Sequence, residues 1–292
     1  MPMLAKPHQI LTDALHAEYA IGAFNASNME MVQAIVRGAE KHASPVIVQT
    51  SEGAIEYATL PVLSNIIATV AKASPVPVIM HLDHGKSFDM AKHCIEAGYT
   101  SVMIDLSPLP IEENILKTKQ VVEYAHARGV WVEAELGAIV GHEGVKELHG
   151  GQTPDSFFTD PKQARDFVDR TGVDALAVSV GTIHGAFTGQ EYIRFELLEE
   201  IQKAVFDVPL VIHGASGIAS KHLQQACTTH VCKVNVDTEL RIAFERAAGA
   251  YFSEKHDSYD PRKIMGPARD AMQLVVEEKI ELFGSSKTAA IY

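Results

Sequence analysis

Eight short runs rich in β-branched residues, most of them followed by a longer amphipathic stretch, constrain this chain more than any other feature. The runs cover 20–25 (AIGAFN), 45–50 (PVIVQT), 76–82 (VPVIMHL), 101–105 (SVMID), 130–136 (VWVEAEL), 174–180 (DALAVSV), 207–213 (DVPLVIH) and 231–236 (VCKVNV). Between them lie helix-like stretches such as 28–42, with apolar residues at 29, 32, 35, 36 and 39 and Asn28 placed to cap its start. Strand–helix alternation means parallel strands joined by helical crossovers. Eight such units either close into a barrel or open into a doubly wound sheet. No G-x-G-x-x-G follows any of the runs, which weakens the dinucleotide-binding alternative. The expected fold is therefore α/β, a single (β/α)8 TIM barrel spanning 1–292, with an extra C-terminal helix near 267–283.

One connection is too long for the pattern. The fifth and sixth runs start 44 residues apart, and the excess falls in the Gly-rich, polar segment 137–160. A long loop in a compact domain is usually functional, and this one is expected to be an active-site lid. The chain carries 25 Lys and Arg against 37 Asp and Glu, a net charge of −12. That balance argues against nucleic acid or an anionic membrane as partner, while still allowing a local cationic pocket. No apolar run approaches the roughly 18 residues of a membrane helix. The first twenty residues read as an amphipathic segment rather than a signal peptide. Three cysteines, Cys94, Cys227 and Cys232, show no CxxC spacing, which fits a reduced, cytoplasmic setting.

Barrel enzymes carry their chemistry at the C-terminal ends of the strands, and here those ends are polar. They bring Asn25, Gln49 with Ser51, His81-Leu82-Asp83-His84, Asp105, Glu133 with Glu135, His184, His213 and Asn235-Val236-Asp237-Thr238 to one mouth. Imidazoles after strands three, six and seven, with a fourth position open, are the donor set of a catalytic zinc-type site. Strict alternation along strand three would put His81 beside Asp83 and His84 on the other side, so periodicity leaves the choice between them open. Asp83 reads as a general acid/base or as a partner that orients an imidazole. Asp105 and Glu135 could hold a second metal position, and Glu143 lies where a mobile loop base would sit. Loops after strands seven and eight often bind phosphate in barrels. Here Gly214-Ala215-Ser216 and 235–238 supply small residues, hydroxyls and a helix start. Lys233 is either a Schiff-base lysine or, more in keeping with the histidine set, a partner for a mouth carboxylate.

With these residues in view, the chain resembles the class II, metal-dependent ketose-bisphosphate aldolases, in the branch that includes tagatose-bisphosphate aldolases. The likeness runs from AFN at 23–25 to ELFGSSKTA at 281–289. It rests on HLDHG (81–85), SVMIDLS (101–107), VEAELG (132–137), GTIHG (181–185), HGASG (213–217) and KVNVDT (233–238). The resemblance implies that His84, His184 and His213 bind one catalytic Zn2+, with Asp105 and Glu135 at a second metal position and room for a monovalent cation. It implies that Asp83 moves the proton of the C4 hydroxyl and that Glu143 handles the proton at the neighbouring carbanion carbon. Asn25, Ser51, Gly185, Gly214, Ala215, Ser216, Asn235, Val236, Asp237 and Thr238 would grip the sugar phosphate. The implied activity is reversible cleavage of a fructose- or tagatose-type ketose 1,6-bisphosphate into dihydroxyacetone phosphate and glyceraldehyde 3-phosphate. The implied assembly is a homodimer or homotetramer, with a non-catalytic partner subunit as a further association. Two departures mark this chain: HGASG where many members carry HGGSG, and GAIVGHEGV in the loop where relatives read close to GRLGGVEDG. Ala215 leans toward the tagatose type.

Overall fold

All eight expected strands form, and they close on themselves. The computed structural model describes residues 4–137, 140–141, 157–184, 193–254 and 259–292. Its barrel strands are β1 (Ile21–Asn25), β2 (Val46–Ser51), β3 (Val78–Gly85), β4 (Ser101–Ile104), β5 (Trp131–Leu136), β7 (Ala175–Val178), β9 (Leu210–Ile212) and β10 (Val231–Val236). Each pairs in parallel with its neighbours in sequence, and β10 returns to β1, so no edge is left exposed. Two further segments, β6 (Val140–Gly141) and β8 (Ile183–His184), pair with each other outside the barrel.

Period-2 alternation divides the apolar residues into two cores. One set of strand residues, including Phe24, Val48, Met80, Val102, Val132, Leu176 and Ile212, packs outward against the helices. The alternate set, Ile21, Ala23, Ile47, Ile79, Met103, Trp131, Ala175, Ala177 and Val211, fills the barrel interior near the strand starts. Helix α1 (Pro7–Ala17) closes that end with Ile10, Leu11 and Ala14. Continuing the inward rows toward the strand ends, the residues turn polar: Ile21-Ala23 leads to Asn25, Ile47 to Gln49, Ile79 to His81 and Asp83, Trp131 to Glu133 and Glu135. The barrel is thus oily at one end and ionic at the other.

The helices begin where local chemistry requires. Asn28 accepts from the Met31 N–H at the start of α2 (Met29–Lys41), and Asp160 accepts from Lys162 and Gln163 at the start of α7 (Pro161–Thr171). The last helix, α11 (Pro261–Leu282), starts six residues before the expected 267 because Asp260 caps it and Pro261 takes the first turn. It packs against α2 and against α10 (Thr238–Glu254). Among the described residues no single helix is long and apolar enough to cross a membrane.

Candidate active site

Asp83 is held by amides. Asn25 donates from Nδ2 to Asp83 Oδ2 at 2.7 Å, and Asn235 donates from Nδ2 to Oδ1 at 3.1 Å. Gln49 in turn fixes Asn25, donating from Nε2 to its Oδ1 at 2.6 Å. The carboxylate is 2% exposed, so each oxygen is fixed by a neutral donor in a place largely closed to water.

The alternation rule fails at the next residue. His84 adopts φ 47°, and the β3–β4 register shifts between Leu82 and Gly85. A non-glycine residue in the left-handed region is uncommon and needs support from its surroundings. The kink turns His84 to the same mouth as Asp83, and His84, Asp83 and His213 offer ligand atoms within 4.8 Å of one another. Strict periodicity had put His84 on the opposite side; the structure corrects this. His81 keeps the alternation and lies lower in the barrel, bonded through Nδ1 to Ser101 Oγ at 2.6 Å. Burial and the Lys233 charge hold its pKa well below the usual histidine range.

The two mouth imidazoles face each other. His84 Nε2 lies 2.9 Å from His213 Nδ1, with the rings nearly perpendicular at 88°. Each outer nitrogen is taken by a carboxylate: His84 Nδ1 by Asp105 Oδ2 at 2.9 Å, and His213 Nε2 by Glu133 Oε1 at 2.8 Å. Imidazole ligands of metal ions are usually oriented in this way, with the second nitrogen on a carboxylate. Glu135 Oε2 lies 3.9 Å from His84 Nδ1 and 4.0 Å from His213 Nδ1, and His84, Asp105 and Glu135 form a second group of adjacent donors. Ser107 donates from Oγ to Asp105 Oδ1 at 2.8 Å.

Charge shows what this cluster would hold. Among the described residues four carboxylates, Asp83, Asp105, Glu133 and Glu135, meet one lysine, Lys233, whose Nζ donates to Glu133 Oε2 at 2.8 Å. Burial alone would discharge His84. The Asp83 charge, the Asp105 hydrogen bond and the Glu135 charge outweigh it and raise its pKa to about 10. The same contact holds Asp105 down at about 2 against the pull of burial. An excess of negative charge around paired imidazoles suits a divalent cation of the zinc type. Lys233 pairs with a mouth carboxylate, as the histidine set suggested. Acting as a nucleophile would require breaking a fully buried ion pair.

The remaining expected residues fall as follows. Ser51 and His84 line one cleft of about 690 Å³ at the mouth. Gly214 has φ 65°, which lets the chain turn sharply after His213 into Ala215 and Ser216, both buried. Val236 packs its side chain into the outer core. Asp237 pairs with Arg241 Nε at 2.7 Å, and Thr238 opens α10. The backbone of His184 runs in β8 beside Gly141; its side chain lies outside the described residues, as do Glu143, Gly185 and most of the 137–160 segment. Gln49 and Glu133 stood out in the sequence as polar strand ends but received no role there. Their signal was an inward position on a strand flanked by outward apolar neighbours.

Comparison with known proteins gives the family. The family model for class-II fructose-bisphosphate aldolase matches residues 5–288. The chain belongs to that family. It is 43% identical to the fructose-bisphosphate aldolase of Geobacillus stearothermophilus over 290 residues, covering 98% of this chain and 99% of that one. It is 40% identical to that of Staphylococcus aureus (strain Mu50) over 297 residues, covering 99% and 100%. Among solved structures, the YdjI aldolase from Escherichia coli K12 superposes with a TM-score of 0.83 at 36% identity, over 98% of this chain and 100% of that one. A putative fructose-1,6-bisphosphate aldolase from Coccidioides immitis gives 0.86 at 31%, over 97% and 98%.

Proposed function

We propose that this family member is a zinc-dependent aldolase that reversibly cleaves a ketose 1,6-bisphosphate of the fructose or tagatose type between C3 and C4. The products are dihydroxyacetone phosphate and glyceraldehyde 3-phosphate. The observation that carries the reading is a buried carboxylate, Asp83, fixed by two amides and adjoining the His84–His213 pair.

His84, His213 and His184 would hold the zinc, and Asp105 and Glu135 would offer a second position. When bound, the ion would act as a Lewis acid toward the ketose carbonyl and its neighbouring hydroxyl. Asp83 takes the proton from the C4 hydroxyl as the C3–C4 bond breaks and returns it on condensation. Asn25 and Asn235 keep that carboxylate aimed, and Glu133 keeps His213 aimed. Glu143 would handle the proton at C3 of the three-carbon product. The loops at Gly185, Gly214 to Ser216 and Asn235 to Thr238 would bind its phosphate through main-chain N–H groups and hydroxyls, with Asn25 and Ser51 contacting the sugar. The same reading places the enzyme in the cytoplasm as a homodimer or homotetramer.

The test is release of dihydroxyacetone phosphate from fructose and tagatose 1,6-bisphosphates in parallel, with zinc and with EDTA. Zinc-dependent release supports the reading, and the ratio of the two rates names the sugar. Turnover that survives EDTA and is trapped by borohydride would move the chemistry to Lys233. Binding of dihydroxyacetone phosphate without cleavage of either sugar would point to another phosphorylated ketose.

A further inference from the structure

The ladder between β5 and β7 ends at the pair Leu136–Val178, one residue beyond Glu135. Gly137 follows with φ 84°, turning the chain away from β5. Thr159 then comes back between the two strand ends. Its main-chain N–H donates to the Ser179 carbonyl at 3.0 Å, and its Oγ1 accepts from the Ser179 N–H at 2.8 Å. The same Oγ1 donates to the Leu136 carbonyl. One hydroxyl thus joins the mouth ends of two strands, where Thr159, Leu136 and Ser179 are all buried. The fit is close: a Cβ at Gly137 would lie 2.7 Å from the Phe157 carbonyl oxygen and 2.8 Å from Thr159 Oγ1. The preceding carbonyl of β5 is also held by a side chain, since Asn114 of α6 (Ile111–His126) donates from Nδ2 to Glu135 O at 3.3 Å.

Both tied ends lead directly to donors of the mouth. The Glu135 carboxylate, one residue before Leu136, lies 3.9 Å from His84 Nδ1 and 4.0 Å from His213 Nδ1. From Ser179 the other strand runs on to Ile183–His184. We infer that Thr159 is a positioning residue for the zinc site: its hydroxyl sets the spacing of the strand ends that carry Glu135 and His184, and with it the placing of those donors around the ion. This rests on the proposed zinc-dependent reading. The chemistry of the bridge selects a hydroxyl, because the Leu136 carbonyl needs a donor, the Ser179 N–H needs an acceptor, and a single oxygen serves both. Serine keeps both roles. Valine keeps the shape of threonine and neither role, so the pair of variants separates hydrogen bonding from space filling.

The experiment compares the full-length wild type with Thr159→Ser and Thr159→Val. Each is titrated with Zn2+ in chelator competition and with Co2+, whose visible absorption bands report the arrangement of its ligands. Hydrogen exchange at the Ser179 amide, followed without metal, reads the bridge itself. Removing a group that orients a metal ligand weakens the ion by about 10- to 100-fold. Thr159 acts one step further out, so T159V is expected to weaken Zn2+ by about 10-fold, to shift the Co2+ bands and to speed exchange at Ser179. T159S is expected to match the wild type in all three. Wild-type affinity and bands in T159V would overturn the inference, as would equal losses in T159S and T159V, which would assign the effect to the shared disturbance of packing. Should T159V not fold, Thr159→Ala, which also removes both contacts, is read against T159S by the same outcomes. A wild type that takes up neither ion would bring down the zinc reading and the inference with it, whereas normal uptake by the wild type and by T159V alike removes the inference alone.

Discussion

Among the described residues Asp83 has no charged hydrogen-bond partner; its two amide donors aim it without tying up its charge. Replacing it by Asn preserves shape and removes the proton acceptor. D83N is expected to lower kcat by about 10²- to 10⁴-fold while leaving the melting temperature near that of the wild type. Steady-state release of dihydroxyacetone phosphate and a thermal scan check both halves. Glu133 is different, because it compensates the fully buried Lys233 and orients His213. Glu133→Gln strands a buried charge and is expected to cost about 3–5 kcal/mol in urea unfolding and to weaken zinc by about 10- to 100-fold in chelator competition. At this scale the sequence was partly legible. Polar strand ends marked Asn25, Asp83, Glu135 and His213, whereas the turn of His84 into the mouth depends on a left-handed backbone that no periodicity encodes. The division of labour between Glu133, which serves Lys233 and His213, and Glu135, which adjoins His84, was equally invisible, since both are inward glutamates on one strand.

Helices α2 and α11 meet where α2 has Gly38. A Cβ there would lie 2.7 Å from Val276 Cγ1 and 3.0 Å from its Cβ. Gly38→Ala gains helix propensity of about 1 kcal/mol but forces the two helices apart, and overpacking typically costs about 1–3 kcal/mol. The expected outcome is no net gain or a loss of stability, with Val276→Ala in the same chain relieving the clash; denaturant midpoints of the single and double variants decide it. The same helix pair is tied by Lys41 to Glu277. Burial opposes the Glu277 charge, but Lys41 and Gln273 outweigh it and hold its pKa below the ordinary 4.5. Its folded value being depressed, it stabilises above the unfolded value and loses that contribution as pH falls through the folded one. The melting-temperature gap between wild type and Glu277→Gln is therefore expected to be widest near neutrality and to close as the pH falls below 4.5 and through the folded value. Elements were the most legible level. All eight barrel strands and the Asn28 cap were readable because burial on both sheet faces demands continuous apolar runs. The early start of α11 was missed although Asp260-Pro261 signals it. The two-residue β6–β8 pairing has no pattern of its own to read.

On the scale of the whole barrel, an apolar plug at one end and four carboxylates at the other leave the mouth electrostatically unbalanced. A divalent ion there would stabilise the folded chain by mass action, by about 4 kcal/mol at a thousandfold excess over its Kd. Zinc is expected to raise the melting temperature and EDTA to lower it together with activity, both reversed by added zinc. No shift in melting would remove the ion from this site. The closed fold was legible from eight repeats without a nucleotide-binding glycine pattern; the lid expected at 137–160 lies mostly outside the described residues. The kink in β3 has a mechanical consequence. Thermal breathing of a barrel changes distances between residues on different strands, and most active-site pairs here span such gaps. Asp83 and His84 do not, since one peptide bond joins them. In the proposed mechanism the proton acceptor and the metal-facing imidazole therefore keep a spacing set by covalent bonds, which heating, or substitution elsewhere in the barrel, alters far less than it alters the rest of the mouth.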